Sequence, residues 1–387
     1  MEKIEFISRE KCCGCGVCRN VCNRNAIRME ENREGFLYPV VDQEKCVDCG
    51  MCKVHCPVFS HEKLVLTQHH FENYAGYFTE EGELMQSASG GAATAFARAI
   101  LRNNGVVFGV AYTDNYRKAK TVKVSSEEEL AGIRDSKYMQ SDKGTIYREL
   151  KAKLEQGKPV LYTGTPCEIG AVRAFLGKHY ENLYLCELIC HGPTSYKVAS
   201  DYLDRQEKEH KSSVVKMSVK SKRYGWSEPY LVLEFENGEQ MAMPFYQSDY
   251  GMGFAVLSRE SCYHCVYKGD GKAADITVGD FWGATTTDAF WNARGISAIS
   301  VHTQQGKKLL QMTTDFNMFA VEYERIVKGN PHMEESVFRD RFTDVFKLLF
   351  HNLGLHRAAR MFRMYRNIVT SIKKWGKAEK VWEEIVS

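Results

Sequence analysis

The chain has 387 residues, of which 44% are hydrophobic and 26% are charged, and its formal net charge is +3. These values are ordinary for a globular protein, and so small a net charge argues against nucleic acid or an acidic membrane as the main partner. No apolar run reaches the roughly 18 residues that a transmembrane segment needs, and the N-terminal sequence does not resemble a signal peptide. We therefore expect a cytoplasmic protein of two to three domains with reduced thiols.

Eight cysteines near the N-terminus form two runs with the same 2-2-3 spacing. The runs are Cys12, Cys15, Cys18 and Cys22, followed by Cys46, Cys49, Cys52 and Cys56. This repeated spacing is the bacterial ferredoxin arrangement for two [4Fe–4S] clusters, in which the fourth cysteine of each run binds the other cluster. We predict one cluster on Cys12, Cys15, Cys18 and Cys56, and another on Cys46, Cys49, Cys52 and Cys22. Two zinc sites are the alternative, but zinc sites rarely use two such identical runs.

Two details depart from the ferredoxin pattern. Asn23 stands where a proline usually follows the first run, whereas Pro57 does follow the second. Cys13 is an extra thiol, which we interpret as a bystander or as an alternative ligand. We assign residues 1–60 to the ferredoxin-type domain, with an apolar strand at 35–41 covering the clusters, and residues 61–75 to a linker.

Residues 76–335 alternate between short apolar strands and helical patterns, which is typical of an α/β fold with some parallel strands. The predicted strands are 106–112, 120–124, 159–163, 183–189, 276–279 and 296–302. The predicted helices are 88–102, 144–156, 166–176 and 195–209. A β-rich insert at 214–221, 230–236 and 240–245 contains the hairpin signal Asn237-Gly238. The predicted fold is thus a ferredoxin-like α+β domain followed by a mixed α/β domain.

Residues 336–387 have a helical pattern and are predicted to form a basic tail. Its apolar positions are Leu355, Phe362, Ile368, Val369, Ile372 and Trp375, and its basic positions are Arg357, Arg360, Arg363, Arg366, Lys373 and Lys374. We interpret the tail as a helix that docks on its own core with a solvated basic side. The alternative is a helix that lies on a membrane or a partner protein.

Two stretches indicate a bound anion. Ser89, Gly90 and Gly91 precede a predicted helix, where free N–H groups and the helix dipole suit a phosphate, although Ser89 is equally well explained as an ordinary N-cap. Lys137 and Tyr138 combine a cation with an aromatic ring. That pair suits an anionic planar cofactor, but it also occurs in surface turns.

Polar residues follow two predicted strands. After the strand 159–163 the chain turns at Gly164 and Thr165, and a helix begins near Pro166, so that the helix dipole is expected to stabilise a thiolate at Cys167. Cys190 and His191 follow the strand 183–189. If the two strands are parallel, Cys167 and Cys190 lie at the same edge, where α/β sheets bind ligands. His191 is a candidate for proton transfer, although one histidine beside a cysteine ligand is more often structural.

Two further thiols occur at Cys262 and Cys265. Together with Cys167 and Cys190 they suggest a third metal cluster. The alternative is that Cys262 and Cys265 are an unmetallated pair and Cys167 is a redox thiol. Shortly afterwards, the strand 276–279 ends in a polar and aromatic turn that begins with Asp280.

Taken in order, these motifs resemble the coenzyme F420 hydrogenase/dehydrogenase beta-subunit family. The resemblance covers roughly residues 10–300 and consists of the double cysteine run followed by SerGlyGlyAlaAlaThr, SerLysTyr, GlyThrProCys, CysHisGly, Cys-x2-Cys and GlyAspPheTrpGly. It implies a third [4Fe–4S] cluster on the four later cysteines, and FAD. The residues expected near FAD are Ser89, Gly90, Gly91, Lys137, Tyr138, Gly164, Thr165 and Asp280.

The resemblance implies an iron–sulfur flavoprotein oxidoreductase. Electrons would pass between the clusters and FAD, with coenzyme F420 or another small molecule as substrate and a ferredoxin or another redox protein as partner. The alternative is an electron-transfer subunit without a substrate of its own that docks to a partner enzyme, since relatives of similar size occur in polysaccharide-synthesis settings.

Overall fold

A computed structural model describes residues 7–66, 72–339 and 342–386, with side chains as far as residue 365. Its strands are β1 (Ile27–Glu31), β2 (Leu37–Val41), β3 (Glu72–Phe78), β4 (Val106–Thr113), β5 (Lys118–Val124), β6 (Ser141–Asp142), β7 (Val160–Gly164), β8 (Leu183–Leu188), β9 (Val214–Ser221), β10 (Tyr230–Phe235), β11 (Gln240–Pro244), β12 (Ile276–Asp280), β13 (Ser297–Val301) and β14 (Phe316–Ala320). Its helices are α1 (Val17–Val21), α2 (Met51–Val54), α3 (His61–Leu64), α4 (Glu81–Gln86), α5 (Ala92–Arg102), α6 (Ile146–Glu155), α7 (Pro166–Leu176), α8 (Tyr196–His210), α9 (Asp249–Val256), α10 (Gln304–Gln311), α11 (Tyr323–Gly329) and α12 (Thr343–Val386).

The largest sheet in the described part of the chain has nine strands in the order β14-β3-β13-β12-β8-β7-β4-β5-β6. Its centre, from β12 through β8 and β7 to β4, is parallel, and the flanking pairs β12–β13 and β4–β5 are antiparallel. The central strands are apolar on both faces because helices cover both sides, as is usual for parallel strands. The mixed α/β fold is therefore confirmed.

The β-rich insert forms its own antiparallel sheet in the order β11-β10-β9. The predicted hairpin joins β10 to β11, and Gly238 has the left-handed backbone angle φ of 86° that such a turn requires.

Helix α7 has the predicted bounds because its sequence signals both ends. Thr165 and Glu168 form a capping box around Pro166, and Gly177 ends the helix with φ of 66°. Helix α5 begins later than predicted, at Ala92 rather than at residue 88. Ser89 has φ of 53°, so the chain turns there before the helix can start.

The N-terminal domain is ferredoxin-like, with the hairpin β1–β2 and the short helices α1 and α2. It is embedded in the larger domain, because Cys15 and Val17 belong to the same apolar cluster as Tyr147 and Ile169 of the helices α6 and α7. The predicted linker 61–75 contains α3 and the start of β3, so part of it belongs to regular structure. The boundaries at residues 60, 75 and 335 stay predictions.

At the C-terminal end, the helix α12 is interrupted at Gly354, where φ is 77° and ψ is 169°. Leu355 and Phe362 are buried against the larger domain, whereas Arg357 and Arg360 are exposed. Arg363 donates to the Gln247 carbonyl and pairs with Asp249. The remaining residues of the predicted pattern, from Arg366 to Trp375, lie beyond the side chains that the structure describes.

Candidate iron–sulfur and flavin site

A cavity of about 850 Å³ lies where three strands of the large sheet end. β7 pairs in parallel with β8, and β8 pairs in parallel with β12, so Gly164, Leu188 and Asp280 reach the same edge of the sheet. Parallel strands bind ligands outside their carboxyl ends, and this is the edge that the sequence predicted.

The four later cysteines meet in the wall of this cavity. Cys167 lies in the first turn of α7, Cys190 follows β8, and Cys262 and Cys265 lie in a short turn after α9. Burial raises the pKa of Cys262, and the neighbouring thiols of Cys190, Cys167 and Cys265 raise it further. Burial likewise raises the pKa of Cys190 to about 12, with Cys167 and Cys265 contributing in the same direction.

The negatively charged thiolate forms of these four cysteines would repel one another, as is expected for a set of metal ligands. Thiols that bind iron must lose their protons, and a cationic metal core removes the repulsion that otherwise keeps them protonated. By contrast, no three Cys, His, Asp or Glu side chains in the described ranges close around a position for a metal ion.

The expected effect of the helix dipole on Cys167 is not observed. The pKa of Cys167 lies well above its ordinary value, first because its thiol forms a hydrogen bond with that of Cys13 and second because it is buried. Thr165 Oγ1 lies 3.3 Å from Cys167 Sγ and lowers the pKa, but its effect is smaller.

The first cluster loop, residues 12–18, adjoins the same cavity. Cys12, Cys15, Cys18 and Cys56 are all buried, and they line a second, smaller cavity together. Burial raises the pKa of Cys18, and Cys12 and Cys56 raise it further, so the fourth cysteine of the second run does lie beside the first loop. This arrangement fits the crossed ligand set predicted for the first cluster.

The second cluster loop, residues 46–52, lies at the surface. Cys49 is exposed, and Cys22, Cys46 and Cys52 are partly buried. Burial raises the pKa of Cys52, and Cys46 and Cys49 add to the increase. Cys22 Sγ accepts a hydrogen bond of 3.3 Å from the Ala26 N–H.

Cys13 connects the first loop with the later cysteines. Its thiol forms hydrogen bonds with those of Cys15 and Cys167, and it lines both cavities. The sequence interpretation of Cys13 as a bystander did not foresee this contact, because nothing in the local sequence relates residue 13 to residue 167.

Arg259 is a residue of the site that sequence reasoning missed. Only 1% of it is exposed, and its Nε donates to the Cys12 carbonyl over 2.6 Å. Its Nη2 lies 3.6 Å from Cys12 Sγ, and its guanidinium carbon lies 3.9 Å from the centre of the Tyr38 ring. The only available signal was its position three residues before Cys262.

Of the eight residues predicted to lie near FAD, all except Gly90 line the large cavity. Asp280 joins several of its walls: Oδ1 accepts from Ser89 Oγ over 2.6 Å and from Trp226 Nε1 over 2.7 Å, and Oδ2 pairs with Lys220. Burial alone would raise the pKa of Asp280, but Lys220 and these hydrogen bonds bring it below its ordinary value.

An aromatic surface lies next to Asp280. The indole rings of Trp226 and Trp282 stack with centroids 5.1 Å apart and an angle of 6° between their planes. Trp282 lines the cavity and remains partly exposed, and Lys220 Nζ lies 5.0 Å from its ring centre. A planar ring system could stack there beside a cation.

Two of the predicted glycines have packing reasons of their own. A Cβ at Gly90 would lie 2.0 Å from the Gly76 carbonyl oxygen, and one at Gly164 would lie 2.5 Å from Glu168 Oε2. Gly90 is therefore required by the contact with β3, whether or not a ligand approaches it. Helix α5 nevertheless opens on the cavity, since Ala92, Ala93 and Thr94 line it.

Lys137 and Tyr138 both lie in the cavity wall. Burial lowers the pKa of Lys137 to about 8, and its ammonium group donates to the carbonyls of Arg134 and Asp135. The Tyr138 ring stacks on Phe254 with centroids 4.5 Å apart. The pair is therefore part of the cavity wall and not of a surface turn.

His191 lines the cavity with an unused ring nitrogen. Burial and the nearby ring of His332 lower the pKa of His191 to about 4, so its imidazole is neutral at pH 7. Its Nδ1 is buried and has no hydrogen-bond partner among the described residues. A buried nitrogen without a partner is costly, so a bound group that hydrogen-bonds to it fits this site.

Two protein-family models match parts of this chain. Residues 157–324 match the family model for the C-terminal part of the beta subunit of coenzyme F420 hydrogenase/dehydrogenase. Residues 11–60 match the family described as "4Fe-4S dicluster domain". The chain thus joins a segment that matches the 4Fe-4S dicluster domain to a segment that matches the F420 hydrogenase/dehydrogenase beta-subunit family.

The segment that matches the beta-subunit family contains all four later cysteines, His191 and Asp280, and the segment that matches the dicluster domain contains both cysteine runs. A chain of the F420-reducing [NiFe] hydrogenase complex from Methanosarcina barkeri, solved as a xenon derivative, is 18% identical. The alignment covers 68% of this chain and 91% of that chain, with a TM-score of 0.47. A comparison with curated proteins gives no match. No helix among the described residues has the length and apolar character needed to span a bilayer.

Proposed function

We propose that the protein is an iron–sulfur flavoprotein oxidoreductase. It would carry two [4Fe–4S] clusters in the dicluster domain, a third on Cys167, Cys190, Cys262 and Cys265, and FAD in the large cavity. Its substrate would be coenzyme F420 or another reducible small molecule, and a ferredoxin or another redox protein would exchange electrons with it.

The observation that carries this proposal is the convergence of three groups of residues on one cavity. The four later cysteines, seven of the residues predicted for FAD, and Cys13 and Cys15 of the first cluster loop all line it. When bound, the clusters supply one-electron transfer, and a flavin can combine single electrons into hydride transfer.

The chain's own residues have separable roles in this proposal. The start of α5 offers N–H groups to phosphates, and Trp282, which packs on the buried Trp226, offers a flat apolar surface to a ring. Asp280 holds the Ser89 loop against β12 through a hydrogen bond of 2.6 Å. His191, neutral at pH 7, offers Nδ1 as a hydrogen-bonding atom to the bound substrate or flavin.

The first test is composition. Protein purified without oxygen is expected to contain about twelve irons, as three [4Fe–4S] clusters require, together with one FAD. Eight irons without flavin would overturn the flavoenzyme and leave a two-cluster electron carrier. If the expected composition is found, substrate screening begins with the deazaflavin F420, and absorbance in the visible range measures its turnover.

A pair of neighbouring cysteines tests the third cluster. Cys190→Ser is expected to lose about four irons and to retain the dicluster domain. Cys186→Ser is the matched control, because Cys186 is fully buried on β8 and does not line the cavity. Equal iron in both variants would show that Cys190 is not a ligand.

A second candidate function is an electron-transfer subunit that docks to a partner enzyme. It is favoured by exposed apolar side chains on α12, namely Val345, Leu348, Met361 and Met364. This candidate predicts that the loaded protein reduces no small molecule alone, and that Leu348→Glu with Met364→Glu abolishes complex formation while iron and flavin content stay unchanged. Turnover of F420 by the isolated chain would exclude it.

A further inference from the structure

Arg259 is a buried cation without a carboxylate partner. Its guanidinium group faces the first cluster loop, where Nε donates to the Cys12 carbonyl and Nη2 to Cys12 Sγ. The remaining nitrogen, Nη1, lies 3.3 Å from Gln140 Oε1. No Asp or Glu within the described ranges forms an ion pair with it. The adjacent carboxylate, Glu260, is engaged by Arg339 and Lys347 instead.

A lone charge in a protein interior is very costly unless an opposite charge compensates it. The groups around Arg259 that can supply negative charge are thiols, chiefly Cys12, followed by the Tyr38 hydroxyl and the thiols of Cys13 and Cys262. A [4Fe–4S] cluster with four thiolate ligands carries a net negative charge. The bound cluster would therefore be the counter-ion that this arginine lacks.

Within the described residues, no buried arginine or lysine hydrogen-bonds to a ligand cysteine of the second cluster. Among the described residues, the hydrogen bonds at its ligand sulfurs come from backbone N–H groups, including Ala26 to Cys22 and Lys53 to Cys52. Cys49 is exposed, so water can stabilise an electron added there. The first loop is buried, and burial alone would make an added electron unfavourable. Hydrogen bonds to cluster sulfurs and nearby positive charge act in the opposite direction and raise the reduction potential.

We propose that Arg259 is the positioning residue that keeps the buried first cluster reducible, by holding a positive charge and a hydrogen bond against Cys12. An electron from a one-electron carrier protein, accepted at the exposed second loop, could then be shared with the first loop beside the cavity. One cluster loses the electron and the other gains it, and no bond or proton is exchanged. This inference rests on the proposed function.

The experiment is a redox titration of the anaerobically purified full chain, in which electron paramagnetic resonance monitors the reduction of each cluster. Arg259→Met is expected to lower the potential of the first cluster, so that the electron-sharing equilibrium moves about tenfold towards the second, which corresponds to 59 mV for one electron. Arg259→Lys keeps the positive charge and is expected to lower the potential of the first cluster by less. The second cluster serves as an internal control, and Arg33→Met removes an exposed arginine of the same domain that does not adjoin a cysteine run in sequence.

A measurement on the unmutated protein covers the case that Arg259→Met does not fold. With arginine labelled with ¹⁵N only in its guanidinium group, so that the Arg19 backbone N–H at Cys18 gives no signal, pulsed resonance is expected to detect a nitrogen coupling at one of the two dicluster signals, and this coupling also identifies the first cluster. Absence of the coupling, or unchanged potentials in Arg259→Met, overturns the role of Arg259. Absence of dicluster signals in the unmutated protein overturns the proposed function instead.

Discussion

The first and second cysteine runs have the same spacing, so each residue of one run has a counterpart in the other. Val17 is fully buried, whereas its counterpart Met51 is 39% exposed. Cys13 contacts Cys167, whereas its counterpart Val47 is 59% exposed. The backbone is similar in both loops, since Gly16 and Gly50 precede their helices with φ of 74° and 72°. The spacing thus specifies a cluster-binding loop, and the surroundings specify what that loop can do.

The largest expected difference concerns the ligands themselves. Cys15→Ser is expected to lose about four irons and to reduce the free energy of unfolding by about 3–5 kcal/mol, because the buried Arg259 loses its counter-charge. Cys49→Ser is expected to lose a similar amount of iron with a smaller loss in the free energy of unfolding, because its exposed loop leaves no buried charge without a counter-charge. Iron analysis and denaturant unfolding measure both quantities. Equal losses of unfolding free energy in the two variants would contradict a difference in burial between the two loops.

The second difference concerns two residues with left-handed backbone. Gly14 and its counterpart Asp48 have φ of 69° and 51°. A Cβ at Gly14 would lie 2.2 Å from Gln140 Nε2 and 2.7 Å from Arg259 Nη1. Gly14→Ala is therefore expected to cost about 3 kcal/mol, from backbone strain and overpacking together.

Asp48→Ala is the control for this substitution, since residue 48 already carries a side chain in the same backbone conformation. Its expected change in the free energy of unfolding is below about 1 kcal/mol. Denaturant unfolding of the two variants decides the matter, and a Gly14→Ala protein as stable as Asp48→Ala would show that the first loop is not confined.

A smaller effect is expected from one hydroxyl that supports the first loop. Tyr147 is buried, and its OH donates to the Cys15 carbonyl over 2.9 Å. Tyr147→Phe leaves that carbonyl without this donor and is expected to cost about 1 kcal/mol. Tyr224→Phe is the control, because the Tyr224 side chain is exposed. A Tyr147→Phe protein that unfolds like the control would show that this hydrogen bond does not stabilise the protein.

The smallest effect on composition is expected at Cys13. Cys13→Val introduces the residue found at the same position of the second run, and iron content is expected to stay at about twelve per chain. A loss of about four irons would instead make Cys13 a ligand, which is the alternative that the sequence left open. The measurement is iron analysis of protein purified without oxygen, with the unmutated chain prepared in parallel.

Local signals explain what the sequence could predict. The bounds of α7 follow from Thr165, Pro166 and Glu168 at its start and Gly177 at its end, and the cysteine spacing predicted a dicluster domain that the family comparison confirms. The convergence of Cys167 and Cys190 followed from one assumption, that their strands are parallel, and β7 and β8 are indeed parallel.

The sequence could not predict the features that depend on contacts between distant residues. Arg259 meets Cys12 across 247 positions of the chain, and its own neighbours in sequence give no sign of burial. The strand β3 was missed because its tyrosines and Gly76 lack the apolar run of a central strand; it is held in place by β13 and β14. The contact of Gly90 with the Gly76 carbonyl is a second reason for a glycine there, and its place near FAD stays a prediction.

The burial of the first loop also has a consequence for how the protein is made. The groups that cover this loop come from much later in the chain: Tyr147 holds Cys15, Arg259 holds Cys12, and the Tyr267 hydroxyl donates to the Pro57 carbonyl over 2.7 Å. We expect the inner cluster to be loaded before these segments pack over its loop. The outer loop stays accessible, and its cluster can be inserted, lost and repaired in the finished protein.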